Sequence, residues 1–421
     1  FMNNLSNLEP KEVFRWFYEI NQHPRSSGNE KEVSDFLVQF AKDRNLEVYQ
    51  DEILNVIIKK PGTPGYENSE PLIIQGHMDM VCVKTDDSNH NFDTDPIEMI
   101  VEGDVLRANN TTLGGDDGIA VAYGLAILDA DDIPHPPLEL LVTTNEETGM
   151  DGAMALTADH LTGTRLLNLD TEVEGEFLVS CSGGSNIDLS FDIAREANSS
   201  KAYKLSISGL KGGHSGVEID KQRANAIKLA ARLLYLVKAD VRLASFDGGI
   251  KHNAVPGNAE VVFATDKFDS LKEGLDALIA DLKEEYRVED PGLTITITEA
   301  TADQVYTKDL SDSVIDMIMA LPDGVQYMSK DIEGLVQTSL NNAVILEEDG
   351  KLVLTASVRS ASSSSLREIL NVVTIIANRM GAVAREYSAY PAWQYEAVSP
   401  LRDIAEKIYV EMYGKEPNIT S

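Results

Sequence analysis

The sequence predicts an α/β fold with a mostly parallel central sheet, interrupted by an inserted α+β domain. Three observations carry that prediction. Short apolar runs alternate with a helix-like stretch between residues 71 and 170. Acidic residues and one histidine stand just past those runs. After residue 185 the pattern turns to strands with alternating apolar positions, interspersed with helices, which is how an α+β layer reads.

Residues 71–75 form a short buried-strand pattern, and Gly76-His77 follow where that strand would end. Residues 138–143 form a second, running into Asn145-Glu146-Glu147, and residues 166–169 a third, ending on Asp170. Between the first two, Ile119, Val121, Ala122, Leu125, Ala126 and Leu128 give residues 117–130 the spacing of an amphipathic helix. Gly114-Gly115-Asp116 would place a carboxylate at its N-terminus. Strand–helix–strand alternation implies parallel strands, and in open α/β sheets ligands collect beyond the carboxyl ends of the strands.

The second domain is expected over residues 185–390. Strands are expected at 187–193, 203–208, 258–264, 293–298 and 352–359, and helices at 224–236, 270–286 and 366–380. Residues 362–365 are a run of serines, read as a link. The first pattern resumes near Pro391 with an amphipathic helix over 401–413. The domains are therefore 1–184, 185–390 and 391–421, the middle one an insertion. Phe1, ahead of Met2, is set aside from fold reasoning as a processing remnant.

His77, Asp79, Asp116, Asp117, Glu146, Glu147 and Asp170 thus gather at one sheet edge from four segments. Singly, Asp-Asp-Gly is a turn, Glu-Glu a solvated pair, and a histidine after a strand a hydrogen-bonded loop residue. Their convergence points instead to a metal site. Imidazole with several carboxylates suits divalent metals, zinc first, with cobalt or manganese as alternatives. One histidine among so many carboxylates is too acidic for a single structural zinc site. It fits two metals sharing a carboxylate and activating a water.

Gly76-His77-Met78-Asp79, Thr112-Leu113-Gly114-Gly115-Asp116-Asp117-Gly118, Thr144-Asn145-Glu146-Glu147-Thr148-Gly149 and Asn168-Leu169-Asp170 resemble the metallopeptidase M20 family. The pattern is most similar to its aminoacyl-histidine (Xaa-His) dipeptidase branch. Pro24-Arg25-Ser26-Ser27-Gly28-Asn29-Glu30, Leu210-Lys211-Gly212-Gly213-His214-Ser215-Gly216 and His252-Asn253-Ala254-Val255-Pro256 strengthen that likeness, which runs from about residue 8 onward.

The resemblance implies a zinc-peptidase-like catalytic domain carrying an inserted lid and dimerisation domain. It implies that His77 and Asp170 bind one metal, Asp116 bridges both, and Glu147 binds the other. Asp79 would orient His77, and Glu146 would be the general base toward the bridging water. His214 would stabilise the oxyanion, from the neighbouring subunit in dimeric relatives. Asn253 and Arg359 would grip substrate, Arg359 through the free C-terminal carboxylate. The family pattern has a fifth ligand, a His near the C-terminus. The seven histidines here are His23, His77, His90, His135, His160, His214 and His252. A chain ending at Ser421 is expected to stop where the strand leading to that ligand begins, and to bind metal weakly. Hinges are expected near residues 182–185 and 390–393, with closure needed for activity.

Composition bounds the rest. With 36 basic and 69 acidic residues the net charge is −33, which excludes nucleic acid and anionic membranes as natural partners. Cys82 and Cys181 have no framework spacing. No 18-residue apolar run and no secretory leader pattern is present, so a cytoplasmic home is expected. The function so implied is metal-dependent hydrolysis of unblocked dipeptides, Xaa-His among them, by a homodimer formed through the lid. Alternatives are an M20 tripeptidase or N-acyl-amino-acid deacylase, or a dipeptide- or metal-binding protein with a degraded site. A base such as Glu146 beside a ligand argues against the last.

Overall fold

A computed structural model describes Leu5 and residues 7–421; Phe1, set aside above, lies outside the described residues. The chain divides into two compact units, Phe1–Glu176 and Phe177–Ser421. The expected inserted domain lies within the second unit. Residues 391–421, expected to rejoin the first domain, are grouped with the second.

The first unit has strands β1 (Glu47–Gln50), β2 (Val56–Lys60), β3 (Leu72–His77), β4 (Met99–Glu102), β5 (Val105–Ala108), β6 (Leu138–Thr143) and β7 (Arg165–Asn168). Its main sheet runs β1-β2-β6-β3-β7, and β4 pairs with β5. β3 is parallel to β6 and β7, while β2 is antiparallel to β6 and β1. The sheet is therefore mixed, and its parallel trio is the part that carries His77 and leads into Glu146 and Asp170. All six residues of β6 are buried, as expected of a strand covered on both faces.

Helix Gly115–Asp129 buries Val121, Ala122, Leu125 and Leu128 against that sheet. Gly124 permits the close approach, since a Cβ there would lie 2.3 Å from Leu140 Cδ1. Helices Lys11–Ile20 and Lys31–Asp43 add Trp16, Phe17, Leu37 and Phe40 to the same core. Truncating one such side chain, as in Leu140→Ala, costs about 2–5 kcal/mol.

The second unit is built on a nine-stranded antiparallel sheet. After β8 (Glu176–Leu178), its strands include β9 (Gly183–Asp192), β10 (Arg195–Ala197), β11 (Ala202–Ser208), β12 (Arg242–Gly248), β13 (Ala259–Ala264), β14 (Thr294–Ala300), β15 (Gln304–Tyr306), β16 (Gly324–Met328), β17 (Val336–Glu348), β18 (Lys351–Ser360), β19 (Val383–Tyr390) and β20 (Asn418–Thr420). The order is β14-β11-β13-β12-β17-β18-β9-β19, with β16 on β17; β10 pairs with β15, and β8 with β20. Helices Ala226–Val237, Phe268–Glu285, Lys308–Ala320 and Ser363–Arg379 share one apolar core with the sheet. The expected hinge segments pair here: Cys181 and Trp393 exchange N–H···O bonds of 2.8 and 2.9 Å. Among the described residues no helix is long and apolar enough to cross a membrane.

Candidate metal centre

His77 closes β3 and is 1% exposed. Three carboxylates from three other segments surround its Nε2: Asp116 Oδ1 at 3.0 Å, Asp170 Oδ1 at 3.6 Å and Glu146 Oε2 at 3.7 Å. Potential ligand atoms fall into two groups, each within 4.8 Å: His77 with Asp116 and Asp170, and His77 with Glu146 and Glu147. The structure thus brings together all four residues expected to ligate and the expected base. Glu147 groups with His77 and Glu146, and Asp116 with the other set.

A layer of buried polar groups holds these side chains. Asp79 is fully buried and lies 3.2 Å from His77 Nδ1. Its Oδ1 accepts the backbone N–H of Glu146 at 3.1 Å, and its Oδ2 accepts that of Glu147 at 3.2 Å and the Ser27 hydroxyl at 2.7 Å. One carboxylate therefore anchors both the histidine and the glutamate pair. Glu30 Oε1 accepts the Asn145 N–H at 3.0 Å, fixing the turn in which Asn145 takes φ 57, a conformation asparagine tolerates.

Asp116 does not cap a regular helix as expected. It and Asp117 have non-helical backbone angles, and the peptide between them is cis. Asp117 turns back to accept the His77 N–H at 3.1 Å. Gly114, at φ 72, makes the turn before them, and its carbonyl accepts from Arg25 Nη2 at 2.6 Å. Arg25, 2% exposed, also donates to the Asn21 side chain and the Met78 and Asp79 carbonyls. It ties the His77–Asp79 loop to the Asp116 turn. Arg25, Ser27 and Glu30 were legible only as part of a family-like motif, because no periodicity separates a buried arginine from an exposed one.

The electrostatics fit a divalent cation. Burial raises the pKa of Asp116, and the charge of Asp170 raises it further. Burial likewise raises Glu146 and Glu147, and pushes Asp117 up to about 8. Burial opposes a proton on His77, but Asp170 and Asp79 outweigh it and hold it up to about 11. The buried Asp79 is nonetheless held down at about 2 by hydrogen bonds from His77, Ser27 and the Glu146 backbone. The cluster carries more negative charge than its protein surroundings neutralise. Oxygen and imidazole donors this close together are what zinc-like cations take.

The other expected site residues, His214, Asn253 and Arg359, lie in the second unit. The His214 and Ala254 backbones form a bridge, and the Asn253 carbonyl accepts the Ser215 N–H at 2.9 Å. His214 Nδ1 accepts the Gly216 N–H at 3.1 Å. An N–H can only donate, so the imidazole hydrogen sits on Nε2. Burial and the Arg359 charge lower the His214 pKa, keeping that ring neutral. Arg359 Nη1 donates to Tyr390 Oη at 3.1 Å; the sequence places Tyr390 in an expected hinge segment and not in the site. Cys82 is half-buried and Cys181 exposed, both as free thiols.

Comparison with known proteins gives a consistent picture. Residues 205–290 match the peptidase dimerisation domain of the M20 family. The chain is 35% identical to the cytosol non-specific dipeptidase of Escherichia coli K12, over 99% of this chain and 88% of the relative. Its structure superposes on aminoacylhistidine dipeptidase from Vibrio alginolyticus with a TM-score of 0.94 and 37% identity, covering 99% of this chain and 86% of the other. Aminopeptidase PepT from Bacillus cereus, at 16% identity and a TM-score of 0.50, shares the fold.

Proposed function

The chain belongs to the metallopeptidase M20 family, and from that premise we propose that it hydrolyses the peptide bond of unblocked dipeptides, Xaa-His among them, with divalent metal. The observation that carries the reading is the convergence of Asp116, Asp170, Glu146 and Glu147 on buried His77. The near-full-length likeness to two proteins named as dipeptidases supports the substrate class.

His77, Asp116 and Asp170 would hold one cation, with Glu147 and Asp116 holding a second; zinc is the first choice, cobalt and manganese the alternatives. When bound, the pair supplies Lewis-acid activation of a water and of the scissile carbonyl. Glu146 takes the proton of the attacking water and returns it to the leaving amine. Its backbone, pinned by Asp79, fixes where that carboxylate can reach, and general-base work of this kind contributes about 10²–10⁴-fold. Asp79 holds His77 in the orientation ligation needs.

His214 contributes a neutral Nε2–H donor. A neutral donor suits the oxyanion of a tetrahedral intermediate, since its hydrogen bond strengthens as charge develops. Arg359 takes the substrate's C-terminal carboxylate, and Asn253 adds a polar contact. A site that pairs both charged ends of its substrate rejects longer peptides, whose ends would be left unpaired. The chain would act as a homodimer through the unit that matches the dimerisation domain, in a cytoplasmic setting where Cys82 and Cys181 stay reduced.

A substrate panel tests this directly. Zinc-loaded protein is expected to cleave β-alanyl-histidine and other dipeptides. Preference for tripeptides, or for N-acyl-amino acids, would replace the dipeptidase reading with those activities, and stoichiometric binding without turnover would make the protein a binder.

A further inference from the structure

Three residues on three neighbouring strands lie in one row of the large sheet. Gly184 of β9 faces Arg359 of β18 on one side and Tyr390 of β19 on the other. Directly opposed residues in antiparallel strands project on the same face. The two flanking strands stand roughly 10 Å apart, twice the usual spacing. Arginine and tyrosine side chains can meet over that gap only if the middle position is empty.

It is empty because residue 184 is glycine. A Cβ there would lie 2.6 Å from Tyr390 Oη, 2.7 Å from Cζ and 2.9 Å from Cε1. The phenol ring occupies the space a side chain would fill, and its oxygen meets Arg359 Nη1 at 3.1 Å. A second feature aims the ring. The β9–β19 register shifts between Tyr387 and Tyr390, where Ser388 takes φ 51. A bulge of that kind redirects the side chain that follows it.

The pair is left with donors and no acceptor. Arg359 Nε is buried without a hydrogen-bond partner. Tyr390 Oη accepts from Arg359, so its own hydrogen is free to donate, and no acceptor for it is found among the described residues. A guanidinium edge with a phenol O–H beside it is a donor set for a planar anion with two oxygens. His214 lies next to it: a Cβ on Gly216 would stand 3.0 Å from His214 Cε1 and 3.3 Å from Arg359 Cζ.

We propose that Tyr390 is a positioning and specificity residue, seated over Gly184 to fix the Arg359 guanidinium and to add its own O–H to the grip on the substrate's free carboxylate. The proposal rests on the dipeptidase reading for the identity of that carboxylate. The pair reads the C-terminus as an anion, so it separates a free dipeptide from its C-terminal amide.

Two variants test it. Tyr390→Phe keeps the ring and removes the hydroxyl; Gly184→Ala keeps the hydroxyl and pushes the ring off Arg359. In zinc-loaded protein, the preference in kcat/KM for β-alanyl-histidine over its C-terminal amide is expected to fall about tenfold in each, the size of one hydrogen bond to a charged group. Titration of the same two compounds into zinc-loaded Glu146→Gln protein, with and without Tyr390→Phe, reads the same discrimination without turnover. Undiminished preference in both variants, or no preference in the parent protein, would overturn the proposal. Wild-type protein that turns over neither compound would sink the dipeptidase reading, while the titration would still decide the role of Tyr390.

Discussion

Asp79 accepts the backbone N–H of Glu146 at 3.1 Å, across 67 residues of chain. The neighbouring N–H of Glu147 goes to the other oxygen of the same carboxylate. The loop after β3 and the turn after β6 are thereby joined at the Glu146-Glu147 step. The spacing between His77 and the glutamate pair is a property of one buried aspartate.

Asp79→Asn is therefore expected to weaken metal binding about 10–100-fold, the usual effect of removing a ligand's supporting partner. Asparagine keeps one acceptor oxygen but turns an NH2 group toward the other backbone N–H. Competition against a chelator, with circular dichroism to confirm folding, checks it. Unchanged affinity would leave Asp79 with no supporting role.

Arg25→Met should separate packing from tethering. The variant fills the volume but leaves the Met78, Asp79 and Gly114 carbonyls without their donor. A loss of about 3–5 kcal/mol in unfolding free energy is expected, at about 1–3 kcal/mol per orphaned group with partial relaxation. Denaturant titration measures it, and a loss below 1 kcal/mol would show that the loops hold their places without the arginine.

Asp117 gives the pH prediction. Its folded pKa is raised to about 8, burial being the largest cause, above an unfolded value near 3.8. The folded state then binds more protons between those values, so metal-free stability should fall as pH rises from about 4 to 8. Asp117→Asn keeps an acceptor for the His77 N–H and removes the titration. It should flatten part of that slope in urea melts at successive pH values; an identical slope would assign the dependence to other groups.

Much of this was legible in the sequence, and the part that was not has physical causes. Segments 138–143, 203–208 and 401–413 declare themselves through apolar runs or periodicity, and the strands and helix lie within a residue or two of those bounds. β17, with thirteen residues one of the two central strands of its pairings, gave no such signal. It carries Thr338, Ser339, Asn341 and Asn342, all buried, and polar residues inside a sheet look like loop in a hydropathy pattern. The Asn342 amide donates to the Pro322 carbonyl and to Asp323, partners no local pattern reveals. The serine run read as a link instead opens helix Ser363–Arg379, with Ser362 as its N-cap accepting from Ser365.

His77, Glu146, Glu147 and Asp170 drew notice because each follows an apolar strand, and Asp116 because it stands ahead of an amphipathic run. Asp79 was expected as a support of His77. Arg25, Ser27 and Glu30 were legible only through a family-like motif, because their partners, the Gly114 carbonyl, the Asp79 carboxylate and the Asn145 N–H, lie far along the chain. The expectation of a helix-capping carboxylate at Asp116 missed for a related reason: Asp117 bends back to the His77 N–H, a long-range bond that overrides helix geometry.

The most direct measurement is hydrolysis of β-alanyl-histidine by metal-stripped protein refilled with zinc, beside Glu146→Gln treated identically. Turnover should return with the metal, and the variant should bind metal as well as the parent while losing about 10²–10⁴-fold in rate. Turnover that survives chelation, or a Glu146→Gln protein as active as the parent, would contradict a metal-dependent dipeptidase with Glu146 as its base.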